Sequence, residues 1–337
     1  MRLLIITQKA DRKDPVLGFF HRWIEEFSSA CDSVIVLAQQ VGDHAAFPNA
    51  RILSLGKERG LPVSKQIWVA WRLLWAFRRD YDAVLVHMTP VWIVLSAPLL
   101  MLLGKPAYLW YEVRRGGWML RTALFFVRRV FTATPSGLPF RSRKAMVVGH
   151  GIDTDAFAPG ASPRQDGLVA AAGRITSIKR YDLLIRALHV LPPSHKLEIA
   201  GGTVTEGDTK EYDRLRLLIN NLGLHDRVSM RSRPHAEVVS LFQRASLSLH
   251  ACGGGLDKVV LEAMACGCPI VSTSEAARHV LPPVCQATDK TLGEQALRIV
   301  AMSPEEREKL GRELRKVVVR DHSLQPLIAR LVAEMQR

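Results

Sequence analysis

Three adjacent glycines, an acid, a base and a glutamate lie together between two apolar runs in CGGGLDKVVLEAMACGCPIV, residues 252–271. Glycines at the start of a helix can present backbone N–H groups to an anion. Acids are also favoured there by the helix dipole, so Asp257 is either a helix cap or a ligand-binding acid. The candidate ligand-binding residues of this segment are Gly253, Gly254, Gly255, Leu256, Asp257, Lys258 and Glu262.

A second segment, AAGRITSIKRYDLLIRAL, offers positive charge after another apolar run. Gly173 lets the chain turn, and Arg174 carries a planar fork suited to phosphate oxygens. Lys179 places a point charge near the start of the following helix. Together these groups could neutralise a diphosphate, and the alternative is that both cations are solvated loop residues.

Length and composition indicate two globular domains. The chain has 337 residues, of which 48% are hydrophobic and 23% charged, and this exceeds what one core of about 150 residues serves. Five cysteines at irregular spacing predict neither a disulfide framework nor a zinc site of paired CxxC motifs, so we expect a reducing, cytoplasmic setting. The short apolar start, MRLLIIT, predicts a strand rather than a signal peptide.

Apolar runs of strand length alternate with helical periodicity along the chain, which predicts an α/β fold with two Rossmann-like, doubly wound parallel-sheet domains. The hinge falls near residues 149–167, where Gly, Pro and Ser concentrate. The end of the chain, residues 304–336, is helical in pattern and must dock on an apolar surface. The expected strands are 3–7, 33–38, 83–87, 107–111, 130–134 and 144–148, then 168–172, 196–200, 228–231, 247–250 and 269–273.

Ligands of open α/β sheets bind beyond the carboxyl ends of the strands. In the first half, Gly18 follows the first strand, and His87 and Glu112 stand at the ends of two others. His87 either contacts a ligand hydroxyl or is a satisfied strand-end histidine. His150 lies in the expected linker beside the same region.

Four segments together resemble the GT-B nucleotide-sugar glycosyltransferases, specifically the retaining family 4 type. These are GHGIDTDAFAP (149–159), GRITSIKRYDLLIRAL, LEIAGG (197–202) and DKVVLEAMACGCPIVST, and the likeness is strongest over residues 145–275. Arg180 replaces the glycine usual in that family, and Gly254 replaces the first acid of its E-x7-E pattern. Either Asp257 and the glycine backbone recognise the sugar in place of that acid, or this chain binds its donor more weakly.

The resemblance implies a GT-B fold, in which two domains face a central cleft. It also implies an enzyme that transfers a sugar from a nucleotide diphosphate donor to an acceptor hydroxyl, with retention of configuration at the anomeric carbon. It implies no metal and no cofactor besides the nucleotide-sugar co-substrate. Residues 1–149 would hold the acceptor, with the helix at about 322–337 packing back on them, and residues 150–321 would hold the donor.

The resemblance also distributes roles. Arg174, Lys179 and His87 would be catalytic; Gly18, Glu112 and His150 would lie on the acceptor side; and Glu262 would bind the donor ribose unless it is a surface acid paired with Lys258. The remaining donor-side residues would be Gly173, Gly201, Gly202, Arg233, Gly253, Gly254, Gly255, Leu256, Asp257 and Lys258.

Net charge is +14 and is concentrated in residues 1–150, which hold 21 Lys and Arg against 10 Asp and Glu. This suggests an anionic partner, which would be a membrane surface, a nucleic acid or a phosphorylated substrate. The alternative is a merely basic soluble surface. Trp68, Trp71 and Trp75 recur at helical spacing beside arginines, as in a core helix or an interfacial one. We therefore expect a glycan or lipid-linked acceptor and a peripheral position on the inner face of a membrane.

Two other functions are compatible with the chain. A GT-B sugar-nucleotide epimerase or hydrolase-like enzyme would share the donor site. A basic nucleic-acid-binding protein would share the charge, but the sequence lacks a zinc-finger spacing, a basic-aromatic strand motif or a recognition-helix pattern, so no nucleic acid is expected.

Overall fold

The computed structural model describes residues 1–14, 16–113 and 116–337. The chain divides into two compact units: Met1–Gly151 together with Leu324–Arg337, and Ile152–Ser323. Each unit is built on one parallel sheet, of seven strands in the first and five in the second. The predicted fold class, two Rossmann-like α/β domains, is confirmed.

The first unit has the strand order β3-β2-β1-β4-β5-β6-β7. Its elements are β1 (Arg2–Ala10), α1 (Phe20–Ala30), β2 (Ser33–Val41), β3 (Ala50–Ser54), α2 (Val63–Ala76), β4 (Ala83–His87), α3 (Pro90–Leu102), β5 (Ala107–Trp110), α4 (Trp118–Phe126), β6 (Val127–Thr132) and β7 (Ala145–Val147).

The central strand β1 is apolar on both faces because both faces of the sheet are covered. Leu3 and Ile5 belong to a core that includes α1, whereas Leu4 and Ile6 belong to a core that includes α2, α3 and α4. Successive side chains of a strand point to opposite faces, so a continuous apolar run fits this environment. The edge strand β3, Ala50–Ser54, was not predicted, since Arg51 interrupts its apolar pattern.

The second unit has the strand order β10-β9-β8-β11-β12. Its elements are β8 (Gln165–Ala172), α5 (Tyr181–Val190), β9 (Lys196–Ala200), α6 (Glu206–Asn221), β10 (Val228–Arg231), α7 (His235–Arg244), β11 (Ala245–His250), α8 (Lys258–Ala265), β12 (Ile270–Ser272), α9 (Leu292–Val300) and α10 (Pro304–Asp321). Gly267 ends α8 in the left-handed conformation, φ 65°, as the Cys-Gly-Cys-Pro pattern predicts.

The last helix, α11 (Leu324–Gln336), belongs to the first unit and packs against α1. Leu327 and Leu331 are fully buried. At its polar margin, Arg330 donates a hydrogen bond to the carbonyl of Val148 at 2.7 Å. The helical pattern of residues 304–336 is therefore two helices, α10 and α11, each of which packs on a different unit.

The tryptophans of α2 are exposed. Trp68, Trp71 and Trp75 face outward, while the buried side of the helix carries Gln66, Ala70 and Leu74. A core role for the tryptophan stripe is therefore wrong. Within the part of the chain that the structure describes, no helix is both long and apolar enough to cross a bilayer.

Replacing Leu331 by Ala should destabilise the first unit by about 2 to 5 kcal/mol, because it removes a fully buried side chain between α11 and the sheet. Urea denaturation followed by circular dichroism measures the loss. The matched control is Leu297→Ala on α9, where the side chain is 39% exposed and the cost should stay within about 0.5 kcal/mol. Equal effects at the two positions would show that α11 is not a structural part of the first unit.

Candidate functional site

The loops that follow three strands of the second sheet, β8, β9 and β11, are joined by their backbones. After β8, the N–H of Gly173 donates to the carbonyl of Ala200, and that of Ile175 donates to Gly202, both at 3.0 Å. After β11, the N–H of Gly253 donates to the carbonyl of Ile178 at 3.3 Å. These bonds assemble segments distant in sequence into one surface at the carboxyl edge of the sheet, where such folds bind ligands.

Glycines make this close approach possible. A Cβ on Gly201 would meet the carbonyl oxygen of Gly173 at 2.2 Å, and one on Gly202 would meet Ser232 Oγ at 3.0 Å. Gly173 has φ +121°, and its missing Cβ leaves space for the Lys179 ammonium and the Tyr181 hydroxyl, which lie 3.3 and 3.4 Å from that position. Larger side chains here would displace Lys179 or separate the loops.

Four side chains form a continuous polar chain that ends at Lys179. Ser272 Oγ lies 2.8 Å from His250 Nδ1, and His250 Nε2 lies 3.2 Å from Asp257 Oδ2. The same carboxylate oxygen accepts a hydrogen bond from Lys179 Nζ and forms an ion pair with it. Ser272 and His250 are buried and the other two are nearly so, so each group fixes the orientation of the next.

The pKa shifts of this pair follow from burial and mutual attraction. Burial alone would raise the pKa of Asp257, but the charge of Lys179 and the hydrogen bond from His250 outweigh it, so this pKa is lowered. Burial would lower the pKa of Lys179, but Asp257 raises it above its usual value. Both groups are therefore charged at neutral pH.

Asp257 occupies the N-cap position of α8, but its side chain accepts no hydrogen bond from the helix backbone. The carboxylate turns instead toward Lys179 and His250. Ligand atoms of His250, Cys252 and Asp257 all lie within 4.8 Å of one another, a spacing that could hold a metal ion. The Lys179 ammonium already supplies a positive charge to the same carboxylate.

Arg174 is held less tightly than Lys179. Its Nε lies 3.7 Å from Asp208 Oδ2, and the side chain is 43% exposed. Asp208 itself caps α6, where it accepts hydrogen bonds from the N–H groups of Val204 and Thr205. Burial tends to raise the pKa of Asp208, but these N–H groups and Arg174 lower it. The hydrogen bonds that Asp208 accepts come from the backbone, so the carboxylate holds the Arg174 guanidinium only by a longer ion pair.

Glu262 lies on α8, half-buried. Burial raises the pKa of its carboxyl group, although the positive charge of Lys258 one turn earlier acts in the opposite direction. Burial also disfavours the charged form of Lys258 and therefore lowers the pKa of that ammonium. Within the described ranges, no side chain or backbone group donates a hydrogen bond to the Glu262 carboxylate. It is therefore an acceptor with open capacity, as a hydroxyl-binding residue would be.

The remaining donor-side predictions fall into different environments. Gly253 is exposed and Gly254 and Gly255 partly so, whereas Leu256 is buried in the core of the unit. Arg233 follows β10 and forms ion pairs with Glu198 at 2.9 Å and Glu237 at 3.1 Å. The structure thus places the glycines after β11 at the carboxyl edge of the sheet, buries Leu256 in the core and pairs Arg233 with two acids.

Two predicted residues of the first unit meet at one aromatic cluster. His87, at the end of β4, is buried and stacks on Phe20 with ring centroids 4.2 Å apart. It also stacks on Trp110, with ring centroids 5.4 Å apart. The Trp110 ring in turn lies 5.7 Å from that of His150. Packing is therefore the role of His87 that the structure displays, and its catalytic role stays a prediction.

Gly18 and Glu112 serve local structure. The N–H of Gly18 donates to the Asp14 carbonyl at 3.0 Å, and a Cβ there would meet that oxygen at 2.6 Å. Glu112 accepts hydrogen bonds from the N–H of Ala133 and from the N–H and hydroxyl of Thr134. Burial outweighs these bonds and raises its pKa. The carboxyl group holds the loop after β6 in place.

His250, Ser272 and Tyr181 are site residues that the sequence reasoning did not select. Tyr181 donates its hydroxyl to the Gly173 carbonyl at 2.7 Å, and burial raises its pKa. A signal for His250 was present, because it is a polar residue at the end of an apolar strand, the same criterion that selected His87. Ser272 and Tyr181 gave no such signal.

Comparison with known sequences finds similarity within the second unit. Residues 153–279 match the family described as Glycosyl transferases group 1. The D-inositol 3-phosphate glycosyltransferase of Mycobacterium avium is 34% identical over 141 residues, which are 38% of this chain and 32% of that protein. The protein of the same name from Mycolicibacterium smegmatis is 33% identical over 139 residues, 38% of this chain and 32% of that protein. The match thus spans about a third of these relatives.

Solved structures share the fold over the whole chain. Anabaena HepE in complex with UDP has a TM-score of 0.78 at 16% identity, covering 100% of this chain and 99% of that one. Sucrose-phosphate synthase from Thermosynechococcus elongatus has a TM-score of 0.81 at 15% identity, covering 100% and 98%. At these identities the likeness concerns the fold, and it confirms the GT-B class.

Replacing Asp257 by Asn should lower the free energy of unfolding near neutral pH by about 3 kcal/mol, because the buried Lys179 ammonium loses its counter-charge. The folded-state pKa of Asp257 lies below the ordinary 3.8, so the contribution of the pair is present above that value and is lost as pH falls. The difference between wild type and variant should therefore shrink below about pH 4.

Urea denaturation across this pH range measures the effect. The control is Asp289→Asn, which removes a half-exposed partner of Arg180 and should change stability by less than about 0.5 kcal/mol. A wild-type to Asp257→Asn difference that does not depend on pH would contradict the ionic origin of the stabilisation.

Proposed function

Residues 153–279 match the glycosyl transferases group 1 family, and we propose that this chain transfers a sugar from a nucleotide diphosphate sugar to an acceptor hydroxyl. The observation that carries the proposal is the position of Lys179. Its ammonium is fixed over Gly173 by Asp257, next to Arg174, at the carboxyl edge of the second sheet. This places two cations at the edge where an open α/β sheet receives its ligand.

The chemistry requires this kind of positive charge. When the bond between the anomeric carbon and the diphosphate breaks, negative charge develops on the leaving phosphate. Preorganised cations stabilise that charge without reorganising at the moment of reaction. In our proposal, Lys179 meets this charge at a fixed position, and Arg174, which is more exposed, closes on the diphosphate when the donor binds.

Glu262 is the proposed ligand of the donor's ribose hydroxyls. Its carboxylate has open acceptor capacity, and a hydroxyl donor would offset the cost of keeping it charged in a half-buried position. Gly254 stands where family members carry their first acid, so in our proposal the sugar is recognised by Asp257 and by the exposed glycine backbone. Asp257 is then both the partner of Lys179 and a sugar ligand.

Retention and metal independence are parts of the proposal that rest on the family resemblance. In a front-face mechanism the departing phosphate takes the acceptor proton, so no protein base is required. The charge that a metal would supply to the diphosphate is assigned to Arg174 and Lys179. The first unit is the proposed acceptor domain, with Gly18, Glu112 and His150 on the acceptor side and His87 assisting the reacting sugar.

The donor and acceptor are proposed as chemical classes. Anabaena HepE, which shares the fold, has been solved with UDP-glucose, so uridine diphosphate sugars are the first donors to test. The matching mycobacterial proteins are named for transfer to D-inositol 3-phosphate, an acceptor with a phosphate. A phosphorylated or lipid-linked glycan acceptor suits the basic first unit. Five free thiols are consistent with a reducing, cytoplasmic location.

Isothermal titration with nucleoside diphosphates and their sugars should show binding to the full chain without added metal. Product analysis then separates the rivals: a new glycoside that forms only with acceptor supports transfer, whereas free sugar or an epimerised donor supports a hydrolase-like enzyme or epimerase. Absence of binding to every nucleotide would overturn the proposal. Adding a chelator tests metal independence, since activity should persist.

Arg174→Ala and Lys179→Ala should each lower kcat by about 10² to 10³-fold, because each removes a charge that stabilises the leaving diphosphate. The control is Arg186→Ala, an exposed arginine on α5 of the same unit, which should retain activity. Circular dichroism verifies folding in every variant. Wild-type turnover in Arg174→Ala or Lys179→Ala would remove that residue from the mechanism.

A further inference from the structure

The outer helical layer of the first unit exposes many large apolar side chains. Helices α2, α3 and α4 cover one face of the seven-stranded sheet, and α3 packs against both of its neighbours. Every exposed tryptophan and phenylalanine in the described ranges lies on this layer. The apolar face consists of Trp68, Trp71, Trp75, Met101, Leu102, Trp118, Phe125 and Phe126.

Chain direction brings most of these residues to one edge. All strands of this sheet are parallel, so the connecting helices run in the opposite direction and end where the strands begin. Trp75, Leu102 and Phe126 stand at the ends of α2, α3 and α4. Leu102 and Phe125 are 75% and 82% exposed. Apolar residues grouped in this way mark an interaction surface more often than scattered ones do.

The charge on this layer has one sign. Residues 61–79, 83–111 and 116–131 contain no Asp or Glu. The arginines stay close to the apolar face: Arg72 lies over the ring of Trp68 at 5.3 Å, and Arg78 lies over the ring of Trp75 at 4.7 Å. Of the acids that follow α2, Asp82 is neutralised by an ion pair with Arg2 at 2.6 Å. The cations on these helices and on the segments that directly follow them are Lys65, Arg72, Arg78, Arg79, Lys105 and Arg121.

We propose that the apolar face docks on an anionic membrane surface. Tryptophan and phenylalanine insert at the boundary between headgroups and acyl chains, while lysine and arginine pair with anionic headgroups. Both requirements are met here by the same three helices. The charge complementarity favours an anionic bilayer over a second copy of the chain, because two such faces would repel each other.

The docking surface is independent of the proposed donor site. It uses no residue of Ile152–Ser323, and it goes beyond sugar transfer by naming the surface on which the chain works. A chain held at the headgroups would meet acceptor hydroxyls that are carried on lipids. Failure of lipid binding would leave the donor chemistry untouched, and failure of the donor chemistry would leave lipid binding untouched.

The test is flotation of the purified full chain with phosphatidylcholine vesicles, with and without phosphatidylglycerol. The wild type should float with the anionic vesicles at low salt, and high salt should weaken binding. Phe125→Ser combined with Phe126→Ser should lower the partition coefficient at least about tenfold. Arg72→Ser combined with Arg79→Ser should lower it roughly 25-fold, about fivefold for each charge near the surface.

Matched controls lie on the second unit. Leu217→Ser with Val319→Ser removes two exposed aliphatic side chains, and Arg186→Ser with Arg216→Ser removes two exposed arginines. Both pairs should float like wild type. Nucleotide titration and circular dichroism establish that every variant is folded.

Three results would overturn the proposal. The first is failure of the wild type to float with anionic vesicles at low salt. The second is equal loss of flotation in the controls and in the variants of the apolar face. The third is concentration-dependent self-association that the Phe125 and Phe126 changes abolish while lipid binding is unaffected; this would assign the face to a second copy of the chain.

Discussion

The ion pair between Lys179 and Asp257 is the interaction on which the candidate site depends. Two charges away from bulk water are costly unless each is paired and further hydrogen-bonded. Here Asp257 also contacts His250, and His250 is fixed by Ser272. The pair joins the loop after β8 to the start of α8. The hydrogen bond from the N–H of Gly253 to the carbonyl of Ile178 links the same two loops. One electrostatic contact therefore fixes the position of the ammonium group at the end of a long, flexible lysine side chain.

Other basic residues of the second unit are used for structure. Arg164 donates to the carbonyls of Phe242, Gln243, Ala245 and Cys266, and Arg315 to those of Thr154, Phe157 and Ala265. Most of these carbonyls lie at or near helix ends and loops, where the backbone lacks an internal partner. A guanidinium satisfies several of them at once. Its charge therefore does not indicate an anionic ligand.

Much of the fold was predictable because its strands are buried on both faces and appear as continuous apolar runs. The prediction was wrong where this condition is not met. The edge strand β3 is interrupted by Arg51 and was missed, and β6 begins at Val127 rather than at the expected residue 130. For the tryptophans of α2, the sequence pattern left a core helix and an interfacial helix both open, because helical spacing reveals that a face is apolar, but not what covers it.

For the candidate site, the segments with Gly173, Arg174, Lys179 and Asp257 were predictable, since their residue types and order carry the family resemblance. What the sequence could not show is which side chains contact one another. Nothing in the types of Lys179 and Asp257, 78 positions apart, indicates that they pair. Ser272 became recognisable only once parallel pairing of β11 with β12 placed it beside His250.

The path of the chain has a consequence for the autonomy of the second unit. The N–H of Ile152 donates to the carbonyl of His322 at 2.7 Å, and Ile152 pairs with Ser323 in a parallel bridge. The first and last residues of this unit are therefore neighbours, and the first unit resumes at Leu324. In topological terms the second unit is an insertion into the first, and its two ends lie side by side. Its length can therefore vary without changing the positions at which it joins the first unit.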